Sequence, residues 1–423
     1  MARLIRHCFP WFWEELEGVD DAREDPHYAM RQVLTLAIVM FSCRIQSLRE
    51  LDRVSDDAQF LHNWCTLSRA KTDTVMCSRQ MTNVLAQTDV EQVGALRVRA
   101  IKDMVRNKQL SQARLLGHLM VVSDGTGVYA SHQCHCPQCL TQQHQDGSVT
   151  YMHNVLELKV VGWNGWALSV MTEPLLNPED GKYDKQDCES KAFKRALASL
   201  KQAFPREAIA HLLDGLYCNG PTFQAIDACG HKFICVFKPG SIPTLYEDAL
   251  QLLKMSPGNT LRQTFQNKGR RVTRVYRWVN GLEYKGRTLD FVMCQETVGD
   301  KTSTFAYLTN FDVDRDNVIT IADGGRCRWT IENQGFNEQK TGYEMEHFCD
   351  CNDLNVMLCL YTLLQIAHML MQLLAASNLI EPMDTLTFLA QRLLEDLRNT
   401  LLPEQLFAPG QPAMQVRFHK APP

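Results

Sequence analysis

The sequence predicts an α/β protein in which helices flank a mixed β-sheet, with a helical N-terminal domain before the sheet and an all-β insertion within it. Apolar residues recur at helical spacing through 1–114, as in Val33, Leu34 and Ile38. Compact apolar runs of strand type occupy 119–122 and 209–213. Because 258–320 contains strand-like runs and turn residues but few helix signals, it is predicted to be all β.

The composition is that of an ordinary soluble globular protein. The 423 residues carry a formal net charge of −4, with 45% apolar and 22% charged side chains. Such a length predicts two or three domains. We divide the chain into a helical N-terminal domain (1–114), the first part of an α/β core (115–257) with a Cys/His-rich loop (132–153), the insertion (258–320), the second part of the core (321–400) and a loose C-terminal tail (401–423).

One segment, 354–380, is long and apolar enough to raise the question of a membrane span. Asn355, Gln365, His368 and Gln372 interrupt it at depths that a bilayer would penalise. We therefore predict a buried core helix and no membrane association. The N-terminus turns acidic too early for a signal peptide, so the expected compartment is the cytoplasm.

Basic residues cluster in two segments, although the chain as a whole is acidic. Segment 97–114 has six basic residues against one acidic residue, and segment 268–287 has seven against one. Such clusters are typical of polyanion-binding surfaces, but solvated helix and strand faces can have the same composition. The candidate DNA-binding residues are Arg97, Arg99, Lys102, Arg106 and Lys108 in the first segment, and Lys268, Arg270, Arg271, Arg274, Arg277 and Trp278 in the second.

Three acidic residues are candidates for catalysis. Asp124 and Asp214 each follow an apolar strand and precede glycine, which indicates a ligand site at a sheet edge or simply a turn. Further on, Arg328 and Glu332 are spaced to share one helix face, and Lys340 lies two turns beyond. An exposed, salt-bridged helix would have the same spacing.

Taken together, these segments resemble a known family. DGTG around Asp124, LLDGLY around Asp214 and RCRWTIENQGFNEQK around Glu332 are similar to the DDE transposases of bacterial insertion sequences, in the branch with a β-rich insertion before the glutamate. The resemblance covers about 115–375 and implies an RNase H-like fold. Two signature positions differ, because Gly325 stands where a tyrosine is common and Gln339 where a lysine is common.

The resemblance implies DNA strand cleavage and strand transfer at terminal inverted repeats. Asp124, Asp214 and Glu332 would bind two Mg²⁺ ions, with Mn²⁺ as a substitute, and Arg328 and Lys340 would contact DNA phosphates. The implied partners are double-stranded DNA, both the inverted repeats and the target, and a second copy of the chain, as a homodimer on DNA within the nucleoid. Trp278 is the candidate for stacking on a flipped base, or else a tryptophan packed on its own sheet.

The cysteines and histidines of 132–153 form a separate candidate site. Cys136 and Cys139 have the CxxC spacing of half a zinc site, and His153 and Cys188 are the first candidates for the other ligands. Cys134 and His144 are the alternatives, and plain thiols without metal are the other interpretation.

Other functions are compatible with the same motifs. A domesticated or catalytically decayed relative would bind DNA without cutting it, and a stand-alone nuclease would cut without joining. Metal-dependent cutting and strand joining distinguish the three.

Overall fold

The structure is a computed structural model that describes residues 1–70, 72–345, 353–381, 385–402 and 415–418. Most of the predicted C-terminal tail, 401–423, lies outside the described residues.

Among these residues, eleven strands form one mixed sheet, which confirms the predicted α/β class. The order across the sheet is β3-β4-β2-β6-β7-β11-β10-β9-β8, with β1 beside β2 and β5 beside β4. β6 is parallel to β2 and β7 is parallel to β6, and the other neighbours are antiparallel. The strands are β1 Arg114–Leu115, β2 His118–Ser131, β3 Leu140–Gln143, β4 Val149–Val161, β5 Ala167–Leu175, β6 Ile209–Leu213, β7 Lys232–Val236, β8 Thr260–Asn267, β9 Arg270–Tyr284, β10 Arg287–Val298 and β11 Lys301–Thr309.

Helices precede, connect and follow the strands. Ser47 caps the helix that begins at Leu48, because its side chain accepts a hydrogen bond from the Glu50 N–H. A π-helix, Ile331–Asn337, joins two of the later helices. The α-helices are α1 Ala2–Cys8, α2 Phe12–Glu17, α3 Met30–Ser42, α4 Leu48–Ser55, α5 Ala58–Ser68, α6 Ser78–Leu85, α7 Val90–Arg106, α8 Glu189–Ala203, α9 Gly220–Ala228, α10 Pro243–Met255, α11 Val318–Cys327, α12 Glu338–Gly342, α13 Leu354–Ala375 and α14 Leu386–Asn399.

The apolar helix α13 lies inside the protein. By length and composition it could cross a membrane, but most of its side chains are buried against α3, α7 and β5. Its polar residues are bonded there, since the Asn355 side chain donates to three backbone carbonyls at the end of α6 and just beyond. The N-terminal helices therefore share a core with the sheet through α13, and the fold is consistent with a soluble protein.

The strands of the predicted insertion extend the central sheet. β11 pairs with β7 through Tyr307 and Val236, so β8–β11 continue outward from the parallel strands. Arg274 on β9 binds Glu296 on β10 and Asp323 on α11, at 2.6 Å and 3.0 Å. These ion pairs fix α11, which leads into the π-helix, against the extended sheet.

Both faces of the sheet are covered by apolar side chains. Along β2, Leu119 and Val121 belong to one buried cluster, and Met120 and Val122 belong to another. Successive residues of a strand point to opposite faces, so the strand that carries Asp124 is held from both sides. This packing gives the candidate site a rigid base.

Candidate active site

Two neighbouring parallel strands bring Asp124 and Asp214 to the same level of the sheet. The last residue pair between β2 and β6 is Val122 with Leu212, and each aspartate lies two residues further on. Neighbouring strands are about 4.8 Å apart, so the two carboxylates share one small region. Asp214 follows β6 as the sequence predicts, but Asp124 does not end its strand. β2 continues along β4 to Ser131, and only its pairing with β6 ends near Asp124.

Glu332 joins this region through Arg328. The Arg328 Nη1 atom lies 2.7 Å from Glu332 Oε1 and 3.8 Å from Asp124 Oδ2. Glu332 sits in the π-helix, whereas the sequence spacing predicts a regular α-helix. Short π-helical turns are frequent at functional sites because they re-aim side chains. Arg328 is 7% exposed and pairs with both acids, so its guanidinium is not free to bind DNA phosphates.

A fourth carboxylate, Glu189, belongs to the same cluster and was not predicted. It is the first residue of α8, and its Oε2 accepts a hydrogen bond from the Tyr217 hydroxyl at 3.1 Å. A Cβ at Gly125 would lie 2.3 Å from Glu189 Oε1, so glycine beside Asp124 makes room for this carboxylate. The sequence gives no signal for this role, because a glutamate at the start of a helix is common for its favourable interaction with the helix dipole.

The electrostatics of the cluster follow from this crowding. Burial raises the pKa of Asp124 to about 6, and the nearby charges of Glu332 and Glu189 add to the rise, while Arg328 opposes it. Burial and the charge of Asp214 likewise raise the pKa of Glu189. Converging carboxylates that repel one another favour a bound cation, and their oxygen atoms suit a hard divalent ion.

The two positions at which the sequence differs from the family it resembles, Gln339 and Gly325, are both buried. Gln339 points into the core, where its Nε2 donates to Gln365 Oε1 at 2.9 Å, and the next residue on α12, Lys340, is exposed. A Cβ at Gly325 would lie 2.3 Å from the ring of Tyr307, so a side chain at this position would collide with β11. The space is already occupied by an aromatic ring from another strand.

Two exposed side chains, one beside Asp214 and one next in sequence to Arg328, were not singled out from the sequence. Lys238 Nζ lies 3.9 Å from Asp214 Oδ1 and is largely exposed. Trp329, next to Arg328, is 50% exposed, with its ring edge-on to Phe305. By contrast, Trp278 is 5% exposed within a core cluster. Trp278 therefore packs on its own sheet, and its assignment as a base-stacking residue is wrong.

The first basic segment is only partly a surface. Arg97 is 4% exposed, and its Nη1 donates to Ser169 Oγ at 2.6 Å and to Thr172 Oγ1 at 2.8 Å, beside buried Glu157. Its assignment to DNA binding is therefore wrong, because it links α7 to the sheet. Arg99 pairs with Glu15. The exposed basic residues of the segment's C-terminal part are Lys102, Arg106 and Lys108.

The second basic segment contains the turn that joins β8 to β9 and the whole of β9, next to the edge strand β8. Arg274 is neutralised by Glu296 and Asp323, so its role is structural. The remaining basic residues at the hairpin tip and along β9 are exposed, namely Lys268, Arg270, Arg271 and Arg277.

Part of the predicted zinc site comes together. Cys136, Cys139 and His153 place their ligand atoms within 4.8 Å of one another. Within the described residues, Cys188 is not in this group and lies exposed at the start of α8. Cys134 and His144 are also outside the group, and the His144 Nε2 is 2.7 Å from Thr150 Oγ1.

Comparison with known proteins does not place the chain in a family. No protein-family model matches the sequence, and no curated protein matches it. The functional interpretation therefore depends on the geometry of the carboxylate cluster and on the chemistry of its residues.

Proposed function

We propose that the protein is a DNA transposase that cleaves and joins DNA strands with two divalent cations held by Asp124, Asp214 and Glu332. One observation carries the proposal. Three acids that are 90 and 118 positions apart in sequence converge where the parallel pairing of β2 with β6 ends, together with Glu189 and a buried arginine. A carboxylate-only cluster of this kind suits Mg²⁺ or Mn²⁺ and not a softer metal.

The arrangement of the strands supports an RNase H-like core. β5, β4 and β2 form an antiparallel meander, β6 lies parallel to β2 on its other side, and β7 lies parallel to β6. The acids in this proposal come from the central strand, from the end of the strand parallel to it, and from a late helix, which is the distribution that the family resemblance implies. The β8–β11 extension corresponds to the insertion of that branch.

Each residue of the cluster has a distinct role in the proposal. When bound, the two cations would activate the attacking oxygen and stabilise the leaving oxygen of the phosphodiester. Asp124, on the strand next to Asp214 and close to the charges of Glu332 and Glu189, would contact both ions, while Asp214 and Glu332 would each hold one. Arg328 offsets the repulsion between Asp124 and Glu332 before the ions bind. Glu189, which accepts a hydrogen bond from the Tyr217 hydroxyl, adds a further negative charge close to Asp124 and Asp214.

DNA would approach from the side on which the exposed cations lie. Lys238 is exposed with its Nζ 3.9 Å from Asp214 Oδ1, and Lys340 is exposed on α12, eight residues after Glu332, so these two lysines are the candidates for phosphate contacts beside the scissile bond. The tip of the β8–β9 hairpin adds a second cationic surface. Paired protomers on two DNA ends, as the resemblance implies, remain part of this proposal.

A DNA-binding protein without cleavage activity is the second candidate. It is favoured by one observation, that Gln339 is buried in the core where the family signature commonly has a lysine. A stand-alone nuclease is the third, and it shares every acid with the main proposal.

A cleavage and strand-transfer assay tests the proposal. Wild-type protein, Glu332→Gln and the control Glu395→Gln, at an exposed position on α14, are incubated with Mg²⁺ or Mn²⁺ and DNA carrying the inverted repeats that flank the gene. We expect metal-dependent nicking and joined products from wild type and the control, and neither from Glu332→Gln, which should still bind DNA. Cleavage by Glu332→Gln would remove the site assignment, and binding without cleavage by wild type would favour the second candidate.

A further inference from the structure

The Cys/His cluster of the 132–153 region is not used by the proposed DNA chemistry. The Cys136 and Cys139 sulfurs lie 3.8 Å apart, and the His153 Nε2 atom lies 3.3 Å from each. In a tetrahedral zinc site, Zn–S bonds of about 2.3 Å place two sulfurs about 3.8 Å apart. The three atoms therefore already form one face of a tetrahedron of the size that Zn²⁺ requires.

The backbone holds these ligands in place without a metal. The Cys139 N–H donates to the Cys136 carbonyl at 3.2 Å, and the Cys136 N–H donates to the Cys139 sulfur at 3.4 Å. The Asn177 side chain fixes the Cys139 carbonyl at 2.8 Å. His153 is on β4, directly opposite Tyr129 of β2, so its ring comes from the rigid sheet. A tight loop and a strand thus supply ligands from two independent elements.

A disulfide does not explain the geometry. Bonded sulfurs lie about 2.05 Å apart, well below the distance in this pair. The imidazole nitrogen is also equidistant from both sulfurs, which a disulfide would not require. Thiolate and imidazole ligands select zinc over the hard cations that suit the carboxylate cluster. Cys139 and His153 are buried, at 3% and 1% exposure, and Cys136 is partly exposed, so the fourth tetrahedral position lies on the side of Cys136 and is open to a further ligand or water.

We propose that Cys136, Cys139 and His153 bind one structural Zn²⁺ ion that clamps the loop after β2 to β4. Tyr129, opposite His153, is five residues beyond Asp124 on β2, which corresponds to roughly 16 Å of strand. Catalytic ions in a pair lie about 4 Å apart, so this zinc is a separate ion. Its effect on catalysis is to hold the strand that carries Asp124. This inference goes beyond the proposed function and does not depend on DNA cleavage.

Zinc content of the purified full-length chain tests the site. Wild type, Cys136→Ser and the control Cys134→Ser, an exposed cysteine in the same loop but outside the cluster, are measured by plasma mass spectrometry after dialysis. We expect about one zinc per chain in wild type and the control, and at least a tenfold lower content in Cys136→Ser. Equal zinc in all three proteins, or equal loss in both variants, would overturn the assignment.

A second measurement keeps the test valid if Cys136→Ser does not fold. Wild-type protein stripped with a chelator is titrated with Co²⁺, and its visible absorption is recorded. Intense d–d bands with sulfur-to-cobalt charge transfer, abolished by an equivalent of Zn²⁺, are the expected result for tetrahedral thiolate ligation. A spectrum of hydrated Co²⁺ only would refute the site, whatever the outcome of the DNA assays.

Discussion

Replacing Asp124 by asparagine should stabilise the metal-free protein at neutral pH. The pKa of Asp124 rises from 3.8 to about 6 because the carboxylate is buried near Glu332 and Glu189. A difference of this size corresponds to roughly 3 kcal/mol at neutral pH, at about 1.4 kcal/mol for each pKa unit. Because asparagine keeps part of the desolvation penalty, we expect Asp124→Asn to raise the free energy of unfolding by about 2 kcal/mol at pH 7.

The stability difference between wild type and Asp124→Asn should depend on pH in a characteristic way. The folded-state pKa lies above the unfolded value, so the folded protein binds an additional proton between about pH 4 and pH 6. The free energy of unfolding of wild type therefore falls as the pH rises through this window, and the penalty is fully present at pH 7. Below about pH 4 both proteins are uncharged at this position, and their stabilities should converge.

Urea denaturation with and without Mg²⁺ measures this difference. Asp300→Asn, at an exposed turn between β10 and β11, is the matched control and should change little. Mg²⁺ at a hundred times its dissociation constant should stabilise wild type by about 2.7 kcal/mol and Asp124→Asn by much less. An Asp124→Asn protein that is no more stable than wild type at pH 7 without metal would refute the electrostatic argument.

The other predictions separate structural from functional residues. Arg97→Met should lower the free energy of unfolding in urea by about 3 kcal/mol, because it removes the nearer of the two cations beside buried Glu157, at 3.6 Å against 4.0 Å for Lys159, and an unchanged stability would contradict that role. Charge reversal of the hairpin-tip residues Lys268, Arg270 and Arg271 should weaken DNA binding. It should also reduce the slope of log affinity against log salt concentration by about one for each lost phosphate contact; an unchanged slope in a fluorescence titration would make the tip an ordinary solvated surface. Gly125→Ala should displace Glu189 and reduce Mn²⁺ affinity at least tenfold by calorimetry, and wild-type affinity would exclude Glu189 from the site.

Local sequence patterns were sufficient to predict the buried strands of the sheet and the positions of the two aspartates. The apolar runs before Asp124 and Asp214 predicted buried strands, and both aspartates lie at the level where the parallel pairing ends. The four-residue spacing of Arg328 and Glu332 predicted that the two side chains share a helix face, and the structure confirms their contact at 2.7 Å. The π-helix was not predictable, because it depends on how α11 and α12 are held by the sheet and by α13.

Burial of charged and aromatic residues was the part that local patterns could not predict. Arg97 and Trp278 both lie in basic segments, yet one bonds to β5 and the other packs in a core cluster. Each outcome depends on the docking of a segment that is distant in sequence. Glu189 was missed for the same reason, since only the approach of α8 to Gly125 brings it to the other acids.

The stoichiometry and location of bound Mn²⁺ test the central claim, that the acidic cluster is the metal site of a strand-cleaving enzyme. Electron paramagnetic resonance on wild type, Asp214→Asn and Asp300→Asn counts the bound ions at increasing Mn²⁺ concentration. We predict that wild type and Asp300→Asn bind at least one ion, that added DNA ends bring the number to two, and that Asp214→Asn loses this binding. Equal Mn²⁺ binding by wild type and Asp214→Asn would contradict the account.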